Sequence, residues 1–171
     1  MNQITTQYVT EGGACYEQYV ITDPAAKTAL TITPERGGMI TGFTLDGDEY
    51  IWTRRPNFSE CNRPRFGVPV LFPSCGNPDG GVHLFDGKAY PMECHGFADL
   101  CAWEVESVGP DGVTLILEST PLTKFLYPFD FTLLVNYDLN GTTASISMTV
   151  INEGDVPMPF SVPLSTPIFT G

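Results

Sequence analysis

The chain has 171 residues, 42% of them hydrophobic and 16% charged, and a formal net charge of −12 at pH 7. This is a globular composition long enough to bury a real core, and it excludes a disordered chain. The acidic balance argues against nucleic acid and anionic membrane as partners, while small neutral ligands, or anions held in a local basic pocket, fit it.

Met1 to Gly13 carries neither a basic region nor an apolar one, and no segment reaches the length of a membrane-spanning helix. A soluble cytoplasmic protein forming one domain over 1–171 is therefore the expectation. Five cysteines, Cys15, Cys61, Cys75, Cys94 and Cys101, form no CxxC pair, which favours reduced thiols over a disulfide framework or a zinc site. With two histidines in the chain, no histidine-rich metal centre is expected.

Along the chain, Asp46-Gly47 is the first strong turn signal, and Asp86-Gly87, Asp111-Gly112 and Asn140-Gly141 follow it. Between the first two, a short apolar run, Gly67 to Pro73, ends in the polar turn Ser74-Cys75-Gly76-Asn77. His95-Gly96-Phe97-Ala98-Asp99 and Trp103 come after a Gly-rich loop. Clusters of Gly, Pro, Asn and His between strands are where sites are usually built. Trp103 and Val105 then alternate with Glu104 and Glu106, and Val113, Leu115 and Leu117 continue the period of two. Phe131, Leu133, Val135, Tyr137 and Leu139 share one face, opposite Thr132, Asn136 and Asp138. Ala144, Ile146, Met148 and Val150 alternate with Thr143, Ser145, Ser147 and Thr149. Phe160-Ser161-Val162 reads as one more strand. No helical window exceeds about two turns. The expected fold is all-β, an antiparallel β-sandwich of roughly ten to twelve strands.

An ordered set of short motifs resembles the aldose 1-epimerase (galactose mutarotase-like) family, in the bacterial branch that includes hexose-6-phosphate epimerase-like members. The set comprises Gly37-Gly38-Met39-Ile40, Tyr50-Ile51-Trp52, Gly67-Val68-Pro69-Val70-Leu71-Phe72-Pro73, Cys75-Gly76-Asn77, His95-Gly96-Phe97-Ala98, Trp103, Tyr127-Pro128-Phe129-Asp130-Phe131, and Asn152 with Pro157-Met158-Pro159-Phe160. The resemblance implies a β-supersandwich that binds a sugar or sugar phosphate in a groove and interconverts its α and β anomers without a cofactor. In the family a carboxylate takes the proton of the anomeric hydroxyl while a histidine protonates the ring oxygen. His95 matches the first of the family's two site histidines and is the candidate catalytic residue. Arg65, before the Gly-Val-Pro run, and Asn77 are the candidate substrate-binding residues.

The chain departs from the family pattern in two places. Asp99 stands where many relatives carry arginine. After Pro-Phe-Ser the family continues with a Leu-His-Pro-Tyr-Phe segment bearing its second histidine, and its aspartate and glutamate base lie further on. Here Leu164-Ser165-Thr166-Pro167-Ile168-Phe169 follows instead. Neighbouring reading frames of the same nucleotides can encode both peptides, so a frameshifted or prematurely terminated family member is expected. The sheet edge left exposed would then favour a homodimer. Without the family's second histidine and glutamate base, the alternative is a non-catalytic carbohydrate-binding β-sandwich. A third reading is an interaction domain whose sugar site has decayed.

Other residues have plainer readings beside their functional ones. Arg54, Arg55, Arg63 and Arg65 form either a phosphate clamp or loop charges paired with acids such as Glu49 and Glu60. Trp52 and Trp103 read as sugar-stacking or, more commonly, core aromatics. Cys94 adjoins His95, but neighbouring strand residues point to opposite faces, so a nucleophilic pair is not expected. His83 reads as an ordinary loop residue, and Asp130 and Asp138 as polar-face residues.

Overall fold

The computed structural model describes residues 1–52, 63 and 66–162. Arg54, Arg55, Cys61, Arg65 and the 164–169 segment lie outside the described residues. Eleven strands are present among the described residues, in two main antiparallel sheets and a hairpin. The first sheet has the order β1-β2-β3-β4-β5, with β1 Gln3–Glu11, β2 Ala14–Asp23, β3 Thr28–Thr33, β4 Met39–Leu45 and β5 Asp48–Glu49. The second runs β11-β10-β9-β8, with β8 Glu104–Val108, β9 Gly112–Glu118, β10 Phe131–Asn140 and β11 Thr143–Asn152. The small hairpin pairs β6 Val82–Phe85 with β7 Lys88–Pro91. A one-turn helix, α1 Pro121–Lys124, is closed by a capping box on Thr120 and Thr123.

The period-two pattern becomes the core. Phe131, Leu133, Val135, Tyr137 and Leu139 are all buried, as are Val113, Leu115 and Leu117 beside them on β9. Across the sandwich they meet Ile21, Leu30 and Ile32 of the first sheet. Polar ties cross the same gap: Asn2 Nδ2 donates to the Leu139 carbonyl at 2.6 Å, and Thr28 Oγ1 to that of Gly141 at 2.8 Å. The Tyr137 hydroxyl donates to the Gly38 carbonyl, and complete burial drives its phenol far above the ordinary range.

Turn chemistry accounts for most of the connections. Asp46-Gly47 and Asp86-Gly87 each link paired strands with both residues at positive φ, the geometry of a tight hairpin. Asn140-Gly141 marks the β10–β11 hairpin, but Asn140 still pairs with Thr143, so Gly141 and Thr142 form the turn. Asp111-Gly112 differs more. A wider loop joins β8 to β9, and Gly112 opens the strand. Phe160-Ser161-Val162 is not a strand. It docks as a strap, with Ser161 N–H donating to the Pro73 carbonyl at 2.9 Å and Phe160 resting on Phe72.

Candidate functional site

Two loops meet at Phe72. Its ring packs among Phe97, Tyr127, Phe131 and Phe160, so the point where the apolar run ends is anchored in the core. Its carbonyl accepts from Phe97 N–H at 2.9 Å and Ala98 N–H at 3.2 Å. That docks the His95–Asp99 stretch beside the Ser74–Asn77 turn. Gly96 makes the approach possible: it sits at φ +81, and a Cβ there would lie 2.2 Å from the Phe72 carbonyl oxygen.

His95 is held from two directions. Its N–H donates to the Gly76 carbonyl at 2.8 Å, and the Gly76 N–H donates back to Nδ1 of the ring at 3.2 Å. The second bond fixes the tautomer. With Nδ1 serving as acceptor, the neutral imidazole carries its proton on Nε2. His95 itself adopts φ 70, left-handed backbone that costs a non-glycine residue about 1–2 kcal/mol. The half-buried ring is therefore presented from a strained position that its surroundings over-determine.

Asp99 is buried at 1% exposure and meets one arginine. Nη1 of Arg63 donates to both carboxylate oxygens, at 2.9 and 2.8 Å. Nη2 donates to the Gly96 carbonyl at 2.7 Å and lies 3.4 Å from the exposed Glu93 carboxylate. Burial pushes the Asp99 carboxyl above its ordinary range, and the nearby Arg63 and His95 offset this only in part. Ionising Asp99 thus costs more in the folded chain than in the unfolded one, and its contribution to stability falls as pH rises through its raised pKa. A pair of this kind is poor evidence of net stabilisation. Below Asp99 the backbone is packed tightly: a Cβ on Gly37 would come within 2.3 Å of the Asp99 carbonyl oxygen, and the Trp103 indole N–H donates to the Ala98 carbonyl at 3.0 Å.

A cleft of about 590 Å³ opens alongside, walled by Asn77, Gly81, Pro91, Met92, Glu93, Cys94, Gly96, Phe97, Leu100 and Leu126. Asn77 is exposed on this wall, and its neighbour Gly76 bonds His95, so the two sequence candidates share one loop junction. His95 is not part of the cleft wall, whereas Cys94 is; the neighbours differ in the surfaces they reach. Arg65 lies outside the described residues. Of the four clustered arginines, Arg63 is spoken for by Asp99, Glu93 and Gly96, which matches the plainer reading of loop charges paired with acids. Trp103 is a core residue at 3% exposure, while Trp52 stays exposed. Asp130 pairs with Lys124 at the surface. His83 is more engaged than an ordinary loop residue: it lies on β6, half-buried, with Nε2 3.5 Å from the buried Ser74 hydroxyl and its ring edge-on to Phe85. Among the described residues no cluster of His, Cys, Asp and Glu could hold a metal ion, and no helix is long and apolar enough to cross a membrane.

Sequence reasoning did not find the Arg63–Asp99 pair or the strap. Cys75 N–H donates to the Ser161 hydroxyl at 2.8 Å, and the Tyr127 hydroxyl to the Pro159 carbonyl at 2.7 Å, so residues 159–161 complete the turn that carries Asn77.

The antiparallel β-sandwich is the fold of galactose mutarotase-like proteins. The aldose 1-epimerase family model matches residues 17–165, and the chain belongs to that family. Among solved structures it is similar to the Slr1438 protein from Synechocystis sp. PCC 6803, with 32% identity and a TM-score of 0.80 over 85% of this chain and 52% of that one. A galactose mutarotase related enzyme from Lactobacillus acidophilus gives 27% identity and a TM-score of 0.75 over 85% of this chain and 46% of that one. Among curated proteins it is similar to the plasmid-borne LacX protein of Lactococcus lactis subsp. lactis, 27% identical over 133 residues, which are 74% of this chain and 43% of LacX. The chain spans about half the length of these relatives.

Proposed function

We propose that this chain carries a histidine-bearing half of an aldose 1-epimerase site acting on a hexose or hexose phosphate. The observation that carries the reading is the bond from Gly76 N–H to His95 Nδ1, set within a family match over residues 17–165. It leaves Nε2–H as the ring's donor, the group suited to a pyranose ring oxygen. As a carboxylate removes the anomeric hydroxyl proton, the C1–O5 bond breaks and the ring opens to the free aldehyde. The hydrogen bond from Nε2–H stabilises the charge developing on O5. O5 takes that proton, leaving an imidazolate that the protein's dipoles must hold until reclosure. Rotation about C1–C2 presents the other carbonyl face, and reclosure returns both protons. The reaction neither gains nor loses atoms, and each acid–base group contributes about 10²–10⁴-fold. Asn77, exposed at the cleft, offers both amide donors and an acceptor to sugar hydroxyls. Arg65 is assigned to the same substrate.

One observation favours the rival reading of a sugar-binding sandwich without turnover. The buried carboxylate nearest in sequence to His95 is Asp99, and Arg63 occupies both of its oxygens. A cytoplasmic location and a homodimer through the outer edge of β11, whose ten residues include no charged side chain, belong to the same proposal.

Anomer exchange of glucose and galactose, followed by saturation-transfer NMR, separates the readings. The chain is expected to accelerate exchange, and His95→Asn to lower that acceleration about 100-fold or more. Asparagine tolerates the left-handed backbone, so the variant should stay folded. Sugar-dependent shifts without faster exchange would favour the binding module, and no sugar response would overturn both.

A further inference from the structure

We propose that Arg63 is a positioning residue for His95: its guanidinium ties the carbonyl of Gly96, the residue after the histidine, to the buried carboxylate of Asp99. The inference rests on the reading of His95 as the proton donor.

His95 and Gly96 occupy consecutive left-handed conformations, φ 70 and 81. A pair of this kind persists only where the surroundings hold it. Gly76 holds the His95 end through two hydrogen bonds, and the Gly96 N–H donates to the Glu93 carbonyl at 3.0 Å. On the Gly96 carbonyl the clamp is Arg63, at 2.7 Å. The other guanidinium nitrogen is locked by both oxygens of Asp99. Asp99 belongs to the short 3-10 turn Ala98–Leu100, whose backbone rests on Gly37 and Trp103. Arg63 therefore works as a strut from a fixed point in the core to the peptide carrying the histidine.

A further observation agrees with a positioning role. Burial still raises the Asp99 carboxyl despite its partner, and a buried pair is by itself weak evidence of net stability. The acid is matched by Arg63 some 36 residues away in the chain. Lysine cannot reproduce the contact, because a single ammonium does not span the carboxylate and the carbonyl as a planar fork does.

The test compares Arg63→Lys with the parent chain by three readouts: the urea midpoint, hydrogen exchange of the Gly76 amide, and the imidazole ¹⁵N shifts of His95. The expected result is a folded variant in which Gly76 exchange quickens by about tenfold or more and the Nε2–H tautomer is no longer dominant. A folded variant with Gly76 exchange and His95 shifts unchanged would overturn the proposal. Should Arg63→Lys not fold, Asp99→Asn, which keeps the side chain's shape, is put through the same readouts. If neither folds, the pair is structural and the proposal fails. The His95 reading is judged separately: a His95→Asn chain that keeps full sugar response and anomer exchange would sink that reading, whatever the Arg63 variant does to Gly76.

Discussion

Gly96→Ala is expected to destabilise the chain by about 3–5 kcal/mol, lowering the melting temperature by about 10 °C or more. Two effects add. At φ +81 any Cβ is strained, and this one would lie 2.2 Å from the Phe72 carbonyl oxygen and 2.7 Å from the Pro73 ring. The contacts are mostly backbone, so no side chain can rotate away. The loop must lift, and lifting it breaks the hydrogen bonds from Phe97 and Ala98 to Phe72 and the bond from Arg63 to Gly96. Each such loss in a buried setting costs about 1 kcal/mol or more. Thermal and urea unfolding followed by circular dichroism measure the effect directly. A loss below about 1 kcal/mol would mean the loop has room that this geometry denies it.

Phe72→Ala should cost about 3–5 kcal/mol by a different route. Phe72 is completely buried, and its ring contacts four other aromatic rings: Phe97 and Tyr127 edge-on, Phe131 and Phe160 tilted. Truncation removes the transfer free energy of the ring and leaves a cavity at the joint of both site loops. The surrounding strands cannot collapse into it, because β10 is fixed on both sides by β9 and β11. Leucine at this position should recover more than half of the loss, since volume rather than aromaticity sets most of the cost. Matching urea midpoints for the alanine variant and the parent would refute the packing argument.

The sheet scaffold was legible because its signals are local. Alternation on β10 depends on neighbours two residues apart, and burial of Phe131, Leu133, Val135, Tyr137 and Leu139 follows from it. Asp46-Gly47 and Asp86-Gly87 likewise carry their turns within themselves. Where local signals misled, a longer-range contact decided. Phe160-Ser161-Val162 has strand-like residues, but the Pro73 carbonyl and the Cys75 N–H recruit Ser161 and make it a strap. Gly112 follows an aspartate as a turn glycine would, yet it opens β9 opposite Asp138.

The site was legible in part. His95, Asn77 and the apolar run ending at Pro73 stand out as residues, and the fold brings their loops together. The tautomer of His95 could not be read in advance, because it depends on a bond to Gly76 across 19 residues. The Arg63–Asp99 tie was hidden for the same reason. Arg63 looked like one of four similar loop arginines, and Asp99 looked like a departure from the family pattern. Opposite charges 36 residues apart give no local pattern to detect.

The most direct measurement is a long-range ¹H–¹⁵N correlation spectrum of the His95 imidazole, recorded without sugar and then with saturating glucose, galactose or glucose 6-phosphate. The predicted result is a proton on Nε2 and an unprotonated Nδ1 in the free chain, with Nε2 shifting on addition of at least one of the sugars while Nδ1 stays bonded to Gly76. A proton on Nδ1, or an imidazole that none of the sugars perturbs, would contradict the assignment of His95 as the sugar-facing donor.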